Sequence, residues 1–300
     1  MASGDRFIDR LAGILASLWY RLDARHRRIT LRNLEFAYGP EMTVEARERL
    51  AREVFRQLVL FGWETLELLL APLSHIRRKV IILGQEHLAA ALAQGRGAIA
   101  IAAHAGNWEY TVMGYGLQYG PEVVVGRELD HPLGRRLARY LRERAGNHMI
   151  SKRRGLKEIL RHLKQNHTVG IVIDQNTATD EGLLVDFFGH PARTTPVAAL
   201  LARRGVPVLP TLSRRLPGGR HLMVIFPPIP MEKTNDAQAD IKRHLELQNR
   251  AIEAWVRAEP AQWLWLHRRW KNQFPEIYKE DRGRETEDRR QKTVSSGGRP

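Results

Sequence analysis

The sequence predicts an α/β fold in which helices flank a central sheet that is mostly parallel or mixed. Two observations carry this expectation. Runs of small or apolar residues over 98–103, 122–125 and 168–173 lack the alternation of a half-exposed strand, as expected for strands covered on both faces. Helical patterns fall between these runs. An N-terminal amphipathic, membrane-associating helix is expected to precede this core.

The elements are expected in a fixed order along the chain. A long helix, or a helix pair with Gly62 as the candidate break, spans 43–70 and ends before Pro72. Strands and helices then alternate, as apolar runs and helical spacing recur in turn. The expected strands are 80–83, 98–103, 122–125 and 168–173, and a further strand is expected to end and pass into a loop within 149–154. The expected helices are 86–94, 108–119, 131–144 and 156–163.

Composition limits the class of protein. Three hundred residues with 43% hydrophobic content can bury the core of one α/β domain with terminal extensions. The chain has no cysteine, which excludes disulfides, thiolate nucleophiles and cysteine-bound metals. Its formal charge of +15 favours polyanionic partners: nucleic acid, anionic lipid headgroups, phosphorylated glycolipids or an acidic carrier protein.

The N-terminal segment 7–22 has apolar residues at helical spacing. Its uncharged run, 11–20, is too short for the ~20 residues that cross a bilayer. Basic residues follow at 25–28 and 32. This pattern favours a helix that lies in a membrane interface and contacts anionic lipid. The alternative is an ordinary core-facing helix with a solvated basic end.

His104 and Glu109 follow the apolar run 98–103 and are the strongest candidates for catalysis. An imidazole can accept a proton near neutral pH, and a carboxylate can orient it and stabilise its charged form. Residues five apart do not share a helix face, so the chain between them must turn at Ala105-Gly106-Asn107. The alternative is a chance histidine whose neighbouring glutamate faces solvent.

Further polar residues follow the next strands. Arg127 comes after the second run, Arg153 after the strand at 149, and Asp174 after the third run. Because the carboxyl ends of parallel strands share one edge of the sheet, these residues are expected to converge with His104. The arginines could instead be solvated surface charges, and Asp174 could cap the next loop or hold an arginine.

Six motifs, in order, resemble those of the lipid A late acyltransferases (lauroyl/myristoyl acyltransferases), within the glycerolipid acyltransferase superfamily. The resemblance runs from about Phe7 to Lys271 and needs all six motifs, since each alone is weak. The motifs are Arg32-Asn33-Leu34-Glu35-Phe36, His104-Ala105-Gly106-Asn107-Trp108-Glu109, Val125-Gly126-Arg127, Ile173-Asp174-Gln175, 185–192 (VDFFGHPA) and 262–271 (QWLWLHRRWK).

The resemblance implies transfer of a fatty acyl chain from a thioester of acyl carrier protein or coenzyme A to a hydroxyl of a lipid A precursor. His104 would be the general base, oriented by Glu109, with no covalent acyl-enzyme. Backbone N–H groups around Asn107 and Trp108, with Arg127 or Arg153, would stabilise the oxyanion. No cofactor is expected beyond this co-substrate.

Other candidate binding residues come from the later motifs. Asp174 matches an acidic block of the superfamily, and Gln175 follows it in the same motif as a further candidate for substrate binding. Phe188 is expected in a loop that lines the acyl tunnel, although a buried phenylalanine pair is an alternative. In 262–271 the aromatic side chains are expected to pack in the core, with Arg268 or Arg269 facing a phosphate. The other histidines lack metal-ligand spacing, so no metal site is predicted.

The expected organisation is an anchoring segment at 1–32, an acyltransferase domain at 33–278 and a disordered charged tail at 279–300. The expected location is the cytoplasmic face of the bacterial inner membrane, peripheral or N-terminally anchored. Three alternatives remain: an acyltransferase for phosphatidylinositol mannosides or lysophospholipids, a nucleic-acid-binding protein, and a membrane scaffold without activity. No nucleic-acid-binding motif is present, and the basic residues are spread along the chain.

Overall fold

A computed structural model describes residues 2–126, 132–151, 155–178 and 181–279 of the chain. Within them helices flank a sheet of seven strands, as predicted. The helices are α1 (Ala2–Leu22), α2 (Ala24–Tyr38), α3 (Val44–Leu70), α4 (Leu73–Lys79), α5 (Gln85–Leu92), α6 (Trp108–Tyr119), α7 (Pro132–Glu143), α8 (Gly155–Lys164), α9 (Val197–Arg203) and α10 (Ala237–Ala258). Short 3-10 helices cover Gly39–Glu41, Pro260–Gln262 and Pro275–Tyr278.

The strands of the main sheet are β1 (Val80–Leu83), β2 (Ala98–Ala102), β3 (Val123–Gly126), β4 (His148–Ser151), β5 (Thr168–Val172), β8 (Val208–Leu216) and β9 (Arg220–Ile225). Strands β6 (Leu183–Phe187) and β7 (His190–Thr194) form a separate antiparallel hairpin. The main sheet is mixed and has the order β1-β9-β8-β2-β5-β3-β4. Its neighbouring strands are parallel except β8 and β9, which are antiparallel. The carboxyl ends of β2, β5 and β3 therefore meet at one edge.

The central strands are covered on both faces, which explains their unbroken apolar sequences. Along β2, Ala98, Ile99 and Ile101 are buried, and Ala102 pairs in register with Val172 of β5. Small alanines and Gly170 on these strands let a helix and a cavity lie close to the sheet. The fold thus sets His104 and Asp174 just beyond the ends of two neighbouring strands.

Helix α3 runs without a break through Gly62, so the segment forms one helix and not a pair. Thr43 caps its start, since the Thr43 side chain accepts a hydrogen bond from the N–H of Ala46. Helix α1 packs on α3 through Ala12, Ala16 and Tyr20. Among the described residues, no helix is both long enough and apolar enough to cross a membrane.

The opposite face of α1 leaves large apolar side chains exposed. These are Phe7, Leu11, Ile14, Leu15, Leu18 and Leu22. An ordinary core-facing helix would have buried most of them. Helix α1 therefore has two apolar faces, one that packs on α3 and one that is exposed.

Candidate functional site

The centre of the site is an imidazole–carboxylate pair at the carboxyl edge of the sheet. The Nδ1 of His104 lies 2.7 Å from Oδ1 of Asp174, and the backbone N–H of His104 donates to Oδ2 at 2.8 Å. A third donor, the Nε1–H of Trp263, reaches the same Oδ2 at 2.7 Å. Asp174 is thus a buried carboxylate with three hydrogen bonds, two of them from His104.

These contacts determine which nitrogen of His104 is free. Burial alone would raise the pKa of Asp174, but the charge of His104 and the hydrogen bonds from His104 and Trp263 lower that pKa to about 2. Asp174 is therefore ionised at neutral pH and can only accept, so Nδ1 carries the proton. The Nε2 of His104 is left as an acceptor, and the side-chain amide of Gln175 lies 3.4 Å from it.

The turn after His104 requires glycine at position 106. Gly106 has a φ of +62°, and a Cβ there would lie 2.8 Å from the Cα of Arg214. Strand-like pairing with the C-terminal segment fixes the turn on its other side. The N–H of Gly106 donates to the carbonyl of Gln262, and the N–H of Leu264 donates to the carbonyl of His104, both at 3.0 Å.

Helix α6 begins directly after this turn, and Asn107 is its N-cap. The Asn107 side chain accepts a hydrogen bond from the N–H of Tyr110 and donates one to Glu64, both at 2.9 Å. Glu64 is in turn paired with Arg215. Burial would raise the pKa of Glu64, but the hydrogen bonds and charge of Arg215, together with His221 and Asn107, lower that pKa on balance. This buried pair therefore anchors the start of α6 beside His104.

A cavity of about 330 Å³ extends from His104 between α6 and the sheet. Its walls are mainly apolar, with Trp108 and Val112 on α6 and Ala100 and Ala102 on β2. Ten polar or charged side chains also belong to this lining among the described residues. They are His104, Glu109, Thr111, Glu122, Arg139, Gln175, Thr177, Thr195, Thr211 and Ser213. A mainly apolar cavity that an imidazole also lines suits a chain-like substrate.

The structure brings four of the predicted site residues, His104, Trp108, Glu109 and Gln175, to the lining of this cavity. The carboxylate hydrogen-bonded to His104 is nevertheless Asp174 and not the predicted Glu109. Glu109 lies in the first turn of α6, half-buried, and lines the cavity. Its catalytic role therefore stays a prediction, while the position that orients His104 is held by Asp174.

Arg269 lies in the protein interior, whereas Arg268 or Arg269 was predicted to face a phosphate. It is fully buried, and its guanidinium donates to the carbonyls of Gln175 and Arg193 and to the hydroxyl of Thr194. Burial lowers its pKa to about 10. Because its Nη1 and Nη2 groups donate to protein acceptors away from solvent, Arg269 does not face a phosphate. It fixes the segment that carries Asp174 and Gln175.

Phe188 and Arg268 flank the aromatic core of the C-terminal segment. Phe188 is buried, packs edge-on against Trp265 with ring centroids 5.9 Å apart, and is not among the described residues that line the cavity. This arrangement matches the alternative of a buried phenylalanine pair. Arg268 is half-buried with its guanidinium 5.9 Å from the ring of Tyr278, and its contact with a phosphate stays a prediction. The core packing predicted for Trp263, Trp265 and Trp270 is confirmed, since all three are buried.

Two predicted arginines, Arg127 and Arg153, lie outside the described residues. Sequence reasoning missed Trp263 as a donor to Asp174, although it lies in a motif that was singled out. It also missed Glu122 as a cavity residue, although Glu122 is the first residue of a predicted strand. In the part of the chain that the structure describes, no three His, Asp or Glu residues are placed to hold a metal ion.

The chain is similar to bacterial acyltransferases over nearly its whole length. The family model for bacterial lipid A biosynthesis acyltransferases matches residues 2–272. The chain is 29% identical over 267 residues to the lipid A biosynthesis lauroyltransferase of Escherichia coli. The aligned region covers 88% of this chain and 85% of that relative. It is 27% identical over 250 residues to the lipid A biosynthesis palmitoleoyltransferase of the same species, covering 82% of this chain and 79% of the relative.

A shorter match is to a relative that is named for a different glycolipid. The phosphatidylinositol mannoside acyltransferase of Mycobacterium tuberculosis is 34% identical over 137 residues, which is 44% of this chain and 43% of the relative. These relatives share acyl transfer and differ in the glycolipid that their names give.

Proposed function

Because the chain belongs to the bacterial lipid A biosynthesis acyltransferase family, and is thus an O-acyltransferase, we propose that it transfers a fatty acyl chain from a thioester to a hydroxyl of a lipid A precursor. The observation that carries the proposal is the position of His104. Its Nδ1 is held by Asp174, and the residue lines an apolar cavity of about 330 Å³ that an acyl chain could fill.

The chemistry requires a base, because an alcohol is a weak nucleophile at neutral pH. The acceptor hydroxyl attacks the thioester carbonyl while Nε2 of His104 removes its proton. Collapse of the tetrahedral intermediate breaks the carbon–sulfur bond, and the imidazolium returns the proton to the leaving thiolate. Asp174 stabilises the charged imidazolium through the 2.7 Å contact with Nδ1. No acyl-enzyme forms in this scheme.

The start of α6 supports an oxyanion site close to His104. The first N–H groups of a helix have no acceptor within that helix, and the helix dipole favours negative charge at this end. Asn107 caps the N–H of Tyr110, so the N–H groups of Trp108 and Glu109 are the candidates for the oxyanion. Arg127 and Arg153 stay candidates for additional positive charge.

A second, polar cavity of about 600 Å³ could receive the acceptor headgroup. A narrow crevice lined by Gln57, Gln262, His104 and Trp108 lies between the two cavities and shares residues with each. The polar cavity carries an equal number of cationic and anionic side chains among its described lining residues. They are Arg56, Lys79, Arg214, Arg215, Asp9, Glu64, Glu67 and Glu259. Such a balanced lining suits sugar hydroxyls, with Trp63 as an apolar wall.

The exposed apolar face of α1 supports the proposal that the protein works at a membrane surface, at the cytoplasmic face of the inner membrane. Both substrates carry lipid chains, and the basic residues after α1, Arg25 to Arg28, would meet anionic headgroups. The polar cavity is lined partly by Ile8 and Asp9 of α1, so the headgroup site would lie close to this surface.

The test is acyl transfer by the full chain from dodecanoyl thioesters of acyl carrier protein and of coenzyme A. The acceptors are a tetra-acylated lipid A precursor and a phosphatidylinositol mannoside, the latter because of the shorter match. His104→Ala is expected to lower the rate by at least ~10²-fold, as for loss of a general base. His87→Ala is the matched control, since His87 is a partly exposed histidine on α5.

Each result decides one part of the proposal. Transfer to the lipid A precursor alone supports the acceptor named here, and transfer to the mannoside alone replaces it. Transfer by His104→Ala at the wild-type rate would show that His104 is not the base.

A further inference from the structure

A buried carboxylic acid lines the same cavity as His104, several residues deeper along the sheet. This acid is Glu122, which directly precedes β3. Its side chain lines the cavity, and the residue is only 3% exposed to solvent. Within the described part of the chain, its Oε2 has no hydrogen-bond partner. Gly170 of β5 leaves room for this carboxyl group, because a Cβ there would lie 3.0 Å from Oε1.

The register of the sheet gives the depth of Glu122. The lowest lining residues of β2 and β5 are Ala100 and Gly170, which are register partners. Ala100 comes four residues before His104, which corresponds to roughly 13 Å along a strand at ~3.3 Å per residue. An extended acyl chain with its carbonyl at His104 would reach the level of Glu122 after roughly ten bonds, each ~1.5 Å long in a zigzag.

Glu122 differs from the other polar groups of the cavity in its protonation. Burial raises the pKa of Glu122 to about 8, so the group is an uncharged acid at neutral pH. An uncharged carboxylic acid can both donate and accept a hydrogen bond. The catalytic scheme leaves this group without a role.

A plain hydrocarbon chain that extends to this depth displaces any water from Oε2 and leaves the acid unpaired. An unpaired buried polar group costs roughly 1–3 kcal/mol, which is about 5- to 150-fold in an equilibrium. A chain that carries a hydroxyl group at this depth supplies the missing partner. Sites built to hydrogen-bond a hydroxyl reject analogues that lack it.

We propose that Glu122 is a specificity-determining residue that binds a hydroxyl group on the acyl chain of the thioester donor, on a carbon about ten bonds from the carbonyl. The inference rests on the proposed acyl transfer, because it assumes that the chain enters this cavity with its carbonyl at His104. It adds a preferred class of donor to that reaction.

The test compares dodecanoyl thioester with dodecanoyl thioesters that carry one hydroxyl group at carbon 9, 10, 11 or 12. The measured quantity is the ratio of kcat/KM for each hydroxylated donor to kcat/KM for the plain donor. In the wild type at least one hydroxylated donor is expected to be preferred. In Glu122→Met, which has a side chain of similar length without a hydrogen-bonding group, that ratio is expected to fall by at least ~10-fold.

Two further variants separate hydrogen bonding from general disturbance of the cavity. Glu122→Gln keeps both a donor and an acceptor and is expected to retain the preference. Thr211→Val removes a hydroxyl from the same cavity. Thr211 directly follows Pro210, the register partner of Ile101, so Thr211 lies nearer to His104 than Glu122 does. This variant is expected to leave the ratio unchanged.

The outcomes distinguish this inference from the proposed function. If the wild type transfers every donor and Glu122→Met leaves the kcat/KM ratio unchanged, acyl transfer stands and the role of Glu122 is overturned. A wild type that prefers the plain donor also overturns it. A wild type that transfers none of these chains to any glycolipid contradicts the proposed function itself.

Discussion

The carboxylate of Asp174 accepts two hydrogen bonds from His104, one from the His104 backbone N–H at 2.8 Å and one from its ring Nδ1 at 2.7 Å. The two residues are 70 positions apart and meet because β2 and β5 are parallel neighbours. A carboxylate that binds both the backbone and the ring fixes the orientation of the imidazole as well as its tautomer. This arrangement leaves Nε2 as the acceptor beside the cavity.

Trp263 is expected to act on catalysis through Asp174. Trp263→Phe keeps an aromatic ring and removes the 2.7 Å hydrogen bond to Oδ2, and we expect a roughly tenfold lower kcat, the scale of one bond to a charged group. Trp265→Phe is the matched control, since it loses a bond of equal length to the carbonyl of Pro260. Steady-state kinetics beside thermal unfolding would contradict the role if both variants lost the same activity.

Gly106 is expected to tolerate no side chain. Gly106→Ala combines a left-handed φ with a Cβ 2.8 Å from the backbone of Arg214, so it should displace the turn after His104. Gly95→Ala has a φ of +71° but open space around it, and should cost only about 1–2 kcal/mol. Urea unfolding should show a larger cost for Gly106→Ala, and transfer assays a larger loss of activity. Equal costs for the two variants would exclude a steric role for Arg214.

Glu122 is expected to make stability depend on pH. Its pKa is raised in the folded protein to about 8 from an ordinary value of 4.5, so its stabilising contribution is complete below pH 4.5 and is lost as the pH rises towards 8. Wild type should therefore lose free energy of unfolding across this interval relative to Glu122→Gln. Chemical unfolding at several pH values measures the difference, and parallel curves for the two proteins would show that Glu122 is not held uncharged.

The exposed face of α1 is expected to bind anionic membranes. Replacing Ile14 and Leu18 with aspartate removes two exposed apolar side chains and adds negative charge, so affinity for anionic vesicles should fall by at least ~10-fold. Leu200→Asp is the control, since Leu200 is exposed on α9. Vesicle sedimentation measures both. Equal weakening by the control would indicate that the effect is one of charge alone.

Much of the site could be predicted because strand ends are visible in the sequence. The apolar runs placed His104 and Asp174 just beyond two strands, and both lie there. The partner of His104 could not be chosen in the same way. Glu109 is close in sequence, whereas the contact with Asp174 depends on which strands are neighbours, and the sequence does not state that order.

Other differences have similar causes. Arg269 carries a charge that usually stays in water, but three protein acceptors around it offset the cost of burial. Gly62 lowers helix propensity by about 1 kcal/mol, which is less than the packing of a long helix can supply, so α3 continues through it. The role of Trp263 depends on backbone pairing between Ala105 and Trp263, a contact between distant parts of the chain.

The most direct test of the account compares Asp174→Asn with Glu109→Gln in acyl transfer to the glycolipid acceptor. If Asp174 orients His104, Asp174→Asn should lower kcat by at least ~10²-fold with little change in the KM of either substrate, and Glu109→Gln should lower it less. Full activity of Asp174→Asn, together with an inactive Glu109→Gln, would contradict the account and return the orienting role to Glu109.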